Sequence, residues 1–458
     1  MKFDELSFDQ APRVKKEIPG IKSKEILSLQ EKLEGSPVSY PKGSPIAIKQ
    51  GFGATIKDAD DNIFIDFFGG AGVLALGHCN PVIDEKVREV QKQITHTLDF
   101  PTTIRLDLVE KIQKVLPGDL QNNSKVIFGG PTGSDAVESA IKLSKTITKR
   151  HGIISFEGAY HGMTSGALAL TSGKFWKKNY IPLIPEVHFV PYAYSYRCSF
   201  NSKTDEECAE ATANYYEHIL EDPHSGVVDP AMTIIEPIQG EGGSIVPHDS
   251  FIRRITEISN TYQVPIVFDE IQAGFCRTGK FFSSEHSGAS PDIMTLSKAL
   301  GGGFPLSAIA YREDLDVWKK AAHIGTFRGN VTAMAAGSAS IDFMLENNIA
   351  QYAEELGNFM IGKLKKNIQD SAIVGEVRGK GLMIGVEIVK NKDTKEASPE
   401  LCSAIRDEMF QRGVIIEIGG HYNNVLRFLP PLIITKKLAE TGIDICIESI
   451  EKIGSNFT

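Results

Sequence analysis

One lysine of this chain lies where an amine could react. Lys298 follows the apolar run 293–296 and Ser297, and it precedes the glycines at 301–303. A strand that ends in a Ser-Lys pair would bury the lysine stem and hold the amine in a cleft, where burial lowers the pKa of the amine and frees it to form a Schiff base. A lysine before a glycine-rich turn is also common at solvated strand ends, so the motif by itself leaves both interpretations open.

A carboxylate follows a second apolar run, upstream of the first. The run 264–268 is rich in β-branched residues and is followed directly by Asp269. An aspartate at one strand end and a lysine at a later strand end are the two groups that pyridoxal phosphate chemistry takes from a protein, one for the pyridinium nitrogen and one for the imine. The two segments together favour a pyridoxal phosphate enzyme with Lys298 and Asp269 as its catalytic residues.

The composition limits the classes of partner. The chain has 458 residues, of which 41% are hydrophobic, and a net charge of -9. This acidic balance gives no general attraction for nucleic acid or an anionic membrane, so we expect small-molecule partners. The six cysteines are scattered without a C-x-x-C pair, which argues against a metal site and a disulfide framework and favours the cytoplasm. No window approaches the roughly 20 apolar residues of a membrane span, and the first residues lack the apolar core of a signal peptide.

Strand-like and helix-like segments alternate from about residue 105 to 345, which predicts a parallel sheet covered by helices. Seven short apolar runs are predicted as its buried strands: 125–128, 152–156, 187–190, 232–235, 264–268, 293–296 and 306–310. Between the first two runs, residues 134–147 carry apolar side chains at helical spacing. This helix should pack one face on the sheet.

From about residue 375 the pattern changes to strand-rich segments, 381–389, 414–418 and 425–429, separated by a helical stretch at 399–412. This pattern predicts a smaller α+β domain, joined to the first by a helix at 331–347. Residues 54–58 and 62–66 predict a hairpin. We therefore predict a large cofactor-binding domain at 61–340, a small C-terminal domain at 341–458, and an N-terminal segment, 1–60, that belongs to the small domain.

Further motifs point to the same cofactor. The segment 129–135 is rich in glycine between a strand and a helix start, where backbone N–H groups and the helix dipole can hold a phosphate. Tyr160 follows a strand and could stack on a planar ring, although a core tyrosine has the same pattern. Gln272 follows Asp269 by three residues and could reach the phenolic oxygen of the cofactor. Thr326, in the polar turn 325–330, could bond a phosphate or simply belong to a turn.

With these motifs in this order, the chain resembles the class III, or ω-, aminotransferases of the fold type I pyridoxal phosphate enzymes, from about residue 40 to the C-terminus. The resemblance implies an α/β fold: a large domain with a mainly parallel seven-stranded sheet covered by helices, plus a smaller α+β domain. It also implies pyridoxal 5'-phosphate as cofactor and a homodimer with shared active sites.

The resemblance implies a role for each matching residue. It places the phosphate at Gly133 and Ser134, one face of the ring at Tyr160, the other face at Ile271, the ring nitrogen at Asp269, the phenolic oxygen at Gln272, the Schiff-base amine at Lys298, and the phosphate of the neighbouring subunit at Thr326.

Two further segments resemble the family's substrate-binding parts. Residues 236–243, with Glu236 and Glu241, resemble a segment whose second glutamate pairs with a strand arginine, and residues 425–431 resemble the segment that supplies it, here Arg427. A guanidinium in a cleft is a bidentate receptor for a carboxylate. Arg427 would bind the α-carboxylate of glutamate or 2-oxoglutarate, and Glu241 would neutralise Arg427 for other substrates. A plain ion pair that stabilises the small domain is the alternative.

Met163 separates this chain from part of the family. The 4-aminobutyrate and ornithine enzymes usually carry arginine there, and losing that charge removes a receptor for a distal carboxylate. The segments 128–135, 191–198, 323–330 and 427–434 instead resemble the 2,4-diaminobutyrate:2-oxoglutarate 4-aminotransferases. The resemblance implies an amino donor and a 2-oxo acid as substrates.

Three alternatives remain open from sequence. A racemase or epimerase on the same scaffold would return the proton to the opposite face and need no keto acid. An ω-aminotransferase could use another amine donor. A pyridoxal-binding module without catalysis is opposed by Lys298 and Asp269 together, and would show no turnover with any amine.

Overall fold

The computed structural model describes residues 3–455. Its strands, in chain order, are β1 (Ile48–Phe52), β2 (Thr55–Asp58), β3 (Ile63–Asp66), β4 (Ser124–Phe128), β5 (Ile153–Phe156), β6 (Val187–Val190), β7 (Met232–Ile235), β8 (Ile266–Asp269), β9 (Ile293–Leu296), β10 (Ala308–Arg312), β11 (Val374–Lys380), β12 (Met383–Asn391), β13 (Glu396–Ala397), β14 (Val414–Ile415), β15 (Glu417–Gly419) and β16 (Val425–Phe428).

The α-helices, in chain order, are α1 (Ile21–Leu33), α2 (Tyr40–Gly43), α3 (Gly69–Gly72), α4 (Pro81–Gln91), α5 (Thr103–Val115), α6 (Gly133–Thr148), α7 (Ser165–Leu170), α8 (Lys174–Lys177), α9 (Asp205–Glu221), α10 (Asp249–Thr261), α11 (Val331–Glu346), α12 (Ile349–Ile368), α13 (Pro399–Gln411) and α14 (Lys436–Ser455). None of the helices in the described range is long and apolar enough to cross a membrane.

The chain divides into two compact units. The larger is Val82–Ala353, and the smaller combines the residues up to Pro81 with those from Glu354 onward. The sequence pattern predicts these boundaries at residues 60 and 340. Residues 61–81 thus fall in the smaller unit, because β3 pairs there with β2 and with β14, and the start of α12 falls in the larger one.

The larger unit contains one seven-stranded sheet with the order β4-β10-β9-β8-β7-β5-β6. All seven predicted runs form its strands, and four neighbouring pairs are parallel. β10 is the exception, since it runs antiparallel to both β9 and β4. Only residues 297–307 connect β9 to β10, which is short for the helical crossover that a parallel return requires. The mainly parallel sheet is therefore confirmed, with one reversed strand.

Helix α6 covers one face of this sheet, as its apolar spacing predicted. Val137, Ala140 and Ile141 of α6 are buried in one cluster with Val267 of β8 and Ile293 of β9. The strands beneath are buried along their whole length, as expected when helices cover a parallel sheet. The packing fixes the start of α6 relative to the ends of the central strands.

The sheet topology brings several chain segments to one edge. Because β5, β7, β8 and β9 are parallel, and β4 is antiparallel to the reversed β10, these five strands all point the same way. Their carboxyl ends are followed by residues 129–133, 157–163, 236–243, 270–272 and 297–298. Crevices at the carboxyl ends of such strands are where open α/β sheets bind ligands.

The smaller unit contains two further sheets, β1-β2-β3-β14 and β11-β12-β16-β15, with β13 paired to β12. The predicted hairpin is present as β2 and β3, and the helix predicted at 399–412 is α13. The segment expected to be one strand at 414–418 is instead two. The chain pairs with β3 at β14, passes Ile416, and pairs with β16 at β15.

Candidate active site

A buried aspartate–histidine hydrogen bond lies at the end of β8. Asp269 is 4% exposed, and its Oδ2 atom lies 2.6 Å from Nδ1 of His161, which is 2% exposed. The other carboxylate oxygen, Oδ1, accepts a hydrogen bond from the backbone N–H of Ile271 at 3.1 Å. A buried carboxylate is stable in its charged form only when paired and hydrogen-bonded in this way. Both carboxylate oxygens of Asp269 are thus held in place at the sheet edge.

His161 lies at the candidate site but is not among the site residues that the sequence predicts. Its motif predicts a role only for Tyr160, the preceding residue. The backbone N–H of His161 donates to Thr171 Oγ1 at 2.9 Å, which fixes the turn, and its Nδ1 must donate to Asp269 because the carboxylate only accepts. The sequence feature that could have indicated His161 is its place directly after Tyr160, which is expected to stack on the cofactor ring.

Glu236 joins the end of β7 to the same turn. Its Oε1 accepts from the backbone N–H of Tyr160 at 3.0 Å, and its Oε2 accepts from that of Gly240 at 2.9 Å. Burial raises the pKa of Glu236 to about 7, while His161 opposes that rise. Both oxygens are thus occupied by backbone donors, so Glu236 supports the turn of Tyr160; its expected place among the substrate-binding residues stays a prediction.

The expected phosphate turn is the N-terminus of α6. Thr132 precedes the helix, and both its backbone N–H and its Oγ1 donate to Asp135 Oδ2, at 2.9 and 2.7 Å. A Cβ atom on Gly133 would lie 2.9 Å from Cδ1 of Ile271, so the glycine lets this side chain pack against the helix start. The turn after β8 and the N-terminus of α6 therefore meet, where backbone N–H groups and the helix dipole favour an anion.

Ser134 ties the helix start to the turn after β5. Its Oγ accepts from the backbone N–H of Met163 at 3.1 Å. Gly162 has φ +125, and a Cβ atom there would lie 2.0 Å from Ser134 Oγ. Only glycine fits this approach. The side chain of Met163 is 46% exposed.

Tyr160 packs edge-on against Trp176, with ring centroids 5.2 Å apart and an interplanar angle of 70°. Trp176 lies in the short helix α8 and was not expected at the site. The contact orients the phenol ring.

Lys298 follows β9 on the same edge. Thr295 pairs with Asp269 in the parallel register of β9 and β8, so Lys298 lies three residues beyond the level of the carboxylate. Its backbone has φ +48, in the left-handed region that few non-glycine residues adopt. Ser297 Oγ donates to the Leu306 carbonyl at 2.8 Å and anchors the turn. Such backbone strain is typical of functional positions.

The remaining predicted residues are less enclosed. Gln272 is partly buried in the turn after Asp269, and Thr326 is exposed between Ile324 and Phe327, which are 73% and 66% exposed.

Arg427 lies in the smaller unit on β16 and is 2% exposed. Its register neighbours are Gly385 on β12 and Glu417 on β15. A Cβ atom on Gly419 would lie 2.7 Å from Arg427 Nε, so the guanidinium stem passes close to bare backbone. Glu241 is partly buried in the larger unit, and its pairing with Arg427 stays a prediction.

The larger unit's site fits pyridoxal phosphate in three respects. The N-terminus of α6 suits the phosphate, Asp269 suits the protonated ring nitrogen, and Lys298 supplies the amine from the same edge. Within residues 3–455 there is no cluster of three or more His, Cys, Asp or Glu that could hold a metal ion.

Comparison with known proteins places this geometry in a family. The model of the class III aminotransferases matches residues 38–452. A diaminobutyrate–2-oxoglutarate aminotransferase of Rhizobium meliloti is 40% identical over 436 residues, 93% of each chain. An alanine/serine racemase of Pyrococcus horikoshii is 35% identical and covers 98% of this chain and 94% of its own. The structure of the ornithine aminotransferase from Toxoplasma gondii, with partial occupancy of PLP at its active site, superposes with a TM-score of 0.82, 25% identity and 95% of each chain.

Proposed function

Since this chain belongs to the class III aminotransferases, whose cofactor is pyridoxal phosphate, we propose that it transfers the 4-amino group of L-2,4-diaminobutyrate to 2-oxoglutarate. The products are aspartate 4-semialdehyde and glutamate. The name and 40% identity of the Rhizobium meliloti relative support the substrate pair. The observation that carries the chemistry is the buried Asp269–His161 pair one strand away from Lys298.

The larger unit supplies the residues for the cofactor. Gly133 and Ser134 would bind the phosphate, Tyr160 and Ile271 would hold the two faces of the ring, and Gln272 would hold the phenolic oxygen. When bound, pyridoxal phosphate supplies a ring that takes up the electron pair released at the reacting carbon.

Proton positions determine the chemistry of the protein side chains. The Asp269 carboxylate would hold a proton on the ring nitrogen, because a neighbouring anion favours the charged form of its partner. His161 donates its Nδ1–H to Asp269 and keeps the carboxylate oriented. The Lys298 amine takes the proton from the reacting substrate carbon and later returns it, as a general base and acid.

Substrate choice is assigned to Arg427, Glu241 and Met163. Arg427 binds the α-carboxylate of 2-oxoglutarate or glutamate through its planar guanidinium. Glu241 neutralises Arg427 when the bound substrate has no carboxylate at that position. Met163 offers no positive charge to a distal carboxylate, so donors such as 4-aminobutyrate are disfavoured.

The enzyme is proposed to work as a homodimer in the cytoplasm. Thr326 is exposed within the single chain, which suits a residue that reaches the phosphate of the neighbouring subunit. All six cysteines are free thiols, which suits a reducing compartment.

A racemase is the second candidate, favoured by the 35% identity to the Pyrococcus horikoshii protein. A donor panel with and without 2-oxoglutarate separates the two, and also tests other amine donors. Transamination of diaminobutyrate requires the keto acid and produces glutamate. Inversion of an amino acid without any keto acid would replace the proposal with racemisation, and no turnover with any amine would leave only cofactor binding.

A further inference from the structure

A histidine remote from the reacting residues connects the exposed Thr326 to helix α6. His323 lies three residues before Thr326, in the segment 322–328, here named the Thr326 arm. Its Nε2 lies 3.0 Å from Ser139 Oγ, and its Nδ1 lies 3.0 Å from Lys142 Nζ. Lys142 Nζ also donates to the Ala322 carbonyl at 3.0 Å. The α6 helix that begins at the phosphate turn therefore holds the arm by three contacts.

The hydrogen-bond partners determine the protonation state of His323. Lys142 can only donate, so Nδ1 must accept. The hydroxyl hydrogen of Ser139 is given to the Asp135 carbonyl at 2.7 Å, so its oxygen accepts from Nε2–H. The ring is thus neutral, with its hydrogen on Nε2. A protonated ring would direct a second N–H at the Lys142 ammonium and lose that contact.

The other end of the arm is anchored beside the same turn. Arg328 Nε donates to the carbonyl of Phe128, the last residue of β4, at 2.9 Å. Asn330 then caps α11 by accepting from the Ala333 N–H at 2.9 Å. Thr326 therefore projects from a short span whose two ends, at His323 and Arg328, are tied to the elements on either side of the phosphate turn.

We propose that neutral His323 is a positioning residue that holds the Thr326 arm on α6, and that its protonation releases the arm and weakens retention of the cofactor. This inference rests on the proposed role of Thr326 as a ligand of the cofactor phosphate in the neighbouring subunit. It adds that phosphate binding by Thr326 depends on pH through the protonation of His323.

The charges around the ring set the direction of the pH effect. Burial lowers the pKa of His323, as do Lys142 and Arg328, whereas Asp135 and Glu138 raise it. A lowered pKa means that the folded arm favours the neutral ring. The stabilisation that the His323 contacts give to the Thr326 arm is fully present above the ordinary histidine pKa of about 6.5. It is lost as the pH falls through the lower pKa that His323 has in the folded protein.

The test uses the holoenzyme between about pH 5 and 8, around the ordinary histidine pKa. One readout is the fraction of pyridoxal phosphate that remains with the protein after ultrafiltration. The other is the titration of His323 by NMR with ring-labelled histidine, assigned from His323→Gln. We expect a step in cofactor retention whose midpoint coincides with the pKa of His323 and lies below 6.5.

Three variants make the test specific. His323→Gln offers an amide acceptor and donor but no titration, so the step should disappear. Lys142→Met removes the donor to the His323 ring and to the Ala322 carbonyl, so cofactor retention should be reduced already at about pH 8 and its pH step should shrink. His151→Gln changes an exposed histidine of the same unit and should leave the step unchanged.

Two outcomes overturn the inference: His323 titrates without any change in retention, or the step persists in His323→Gln. Should His323→Gln fail to fold, the exposed Lys142→Met variant decides: wild-type retention with an unchanged step in that variant overturns the inference. Transamination by the wild type at about pH 8 is measured on the same preparation. Transamination without a step in cofactor retention at the pKa of His323 refutes only the proposed role of His323. Absence of transamination refutes the proposed function.

Discussion

The cofactor residues and the substrate residues of the proposed site differ in how they are held. Asp269, His161 and Ser134 lie within one compact unit, at one sheet edge, with short hydrogen bonds between their turns. Arg427 lies in the other unit, and Met163 is nearly half exposed. We therefore expect the cofactor residues to determine the rate of the chemistry and the substrate residues to determine which donor and acceptor are used. The predictions below test whether chemistry and specificity separate in this way.

The largest effect is expected for Lys298→Ala. Loss of the general base alone costs about 10²–10⁴-fold in turnover, and loss of the covalent attachment should remove the yellow colour after dialysis. Absorbance spectra and turnover with diaminobutyrate provide the measurement. Lys114→Ala, at an exposed lysine on α5, is the control and should match the wild type. Retained colour and activity in Lys298→Ala would identify another lysine as the catalytic one.

Arg427→Ala should act on the keto acid. Removing one partner of a buried charge pair costs about 2–5 kcal/mol, or roughly 30- to 5,000-fold in kcat/KM for 2-oxoglutarate. Diaminobutyrate should lose less, because its α-carboxylate is expected to depend less on this receptor. Arg412→Ala removes an arginine whose partner is Glu448 at the surface and serves as control. Equal losses for both substrates would remove Arg427 from its assigned role.

Gly162→Ala probes the close approach of two turns on the cofactor side. The new Cβ would lie 2.0 Å from Ser134 Oγ, so overpacking should cost about 1–3 kcal/mol more than backbone strain alone. Gly226→Ala is the control for backbone strain alone. Gly226 has φ +81, and no atom lies within 4 Å of the added Cβ. Unfolding free energy and cofactor retention are measured for both variants. Similar losses in the two would show that Ser134 does not depend on the glycine.

Met163→Arg should have the smallest effect. A half-exposed charge contributes up to about 1 kcal/mol, so the ratio of kcat/KM for 4-aminobutyrate to that for diaminobutyrate should rise about fivefold. Met163→Leu keeps the site apolar and should not change the ratio. A ratio unaffected by the arginine would mean that Met163 does not contact the distal end of the donor.

Local patterns predicted most of the larger unit. Its seven strands are short apolar runs, of which β5, β7, β8 and β9 are buried along their whole length, and α6 has an apolar stripe. The order of apolar residues therefore predicts which segments are buried. The reversal of β10 depends on connection length, and the break at Ile416 depends on partners far away in sequence, β3 and β16. The spacing of apolar residues within one segment does not show which distant strand that segment will pair with.

The same distinction applies to the site. Asp269 and Lys298 were predicted because each ends an apolar strand, and strand ends converge at one sheet edge. His161 and Trp176 were missed because their contacts, with Asp269 and Tyr160, join segments that no spacing rule connects. The pKa of Glu236, raised by burial, is likewise a property of the folded environment.

The most direct test of the account follows the transferred nitrogen. Purified protein is incubated with diaminobutyrate carrying ¹⁵N only at the 4-amino group, together with 2-oxoglutarate. The account predicts that the label appears in glutamate while the 2-amino nitrogen remains in aspartate 4-semialdehyde. Label retained in diaminobutyrate, with solvent hydrogen entering at its Cα and no glutamate formed, would contradict transamination and establish a racemase.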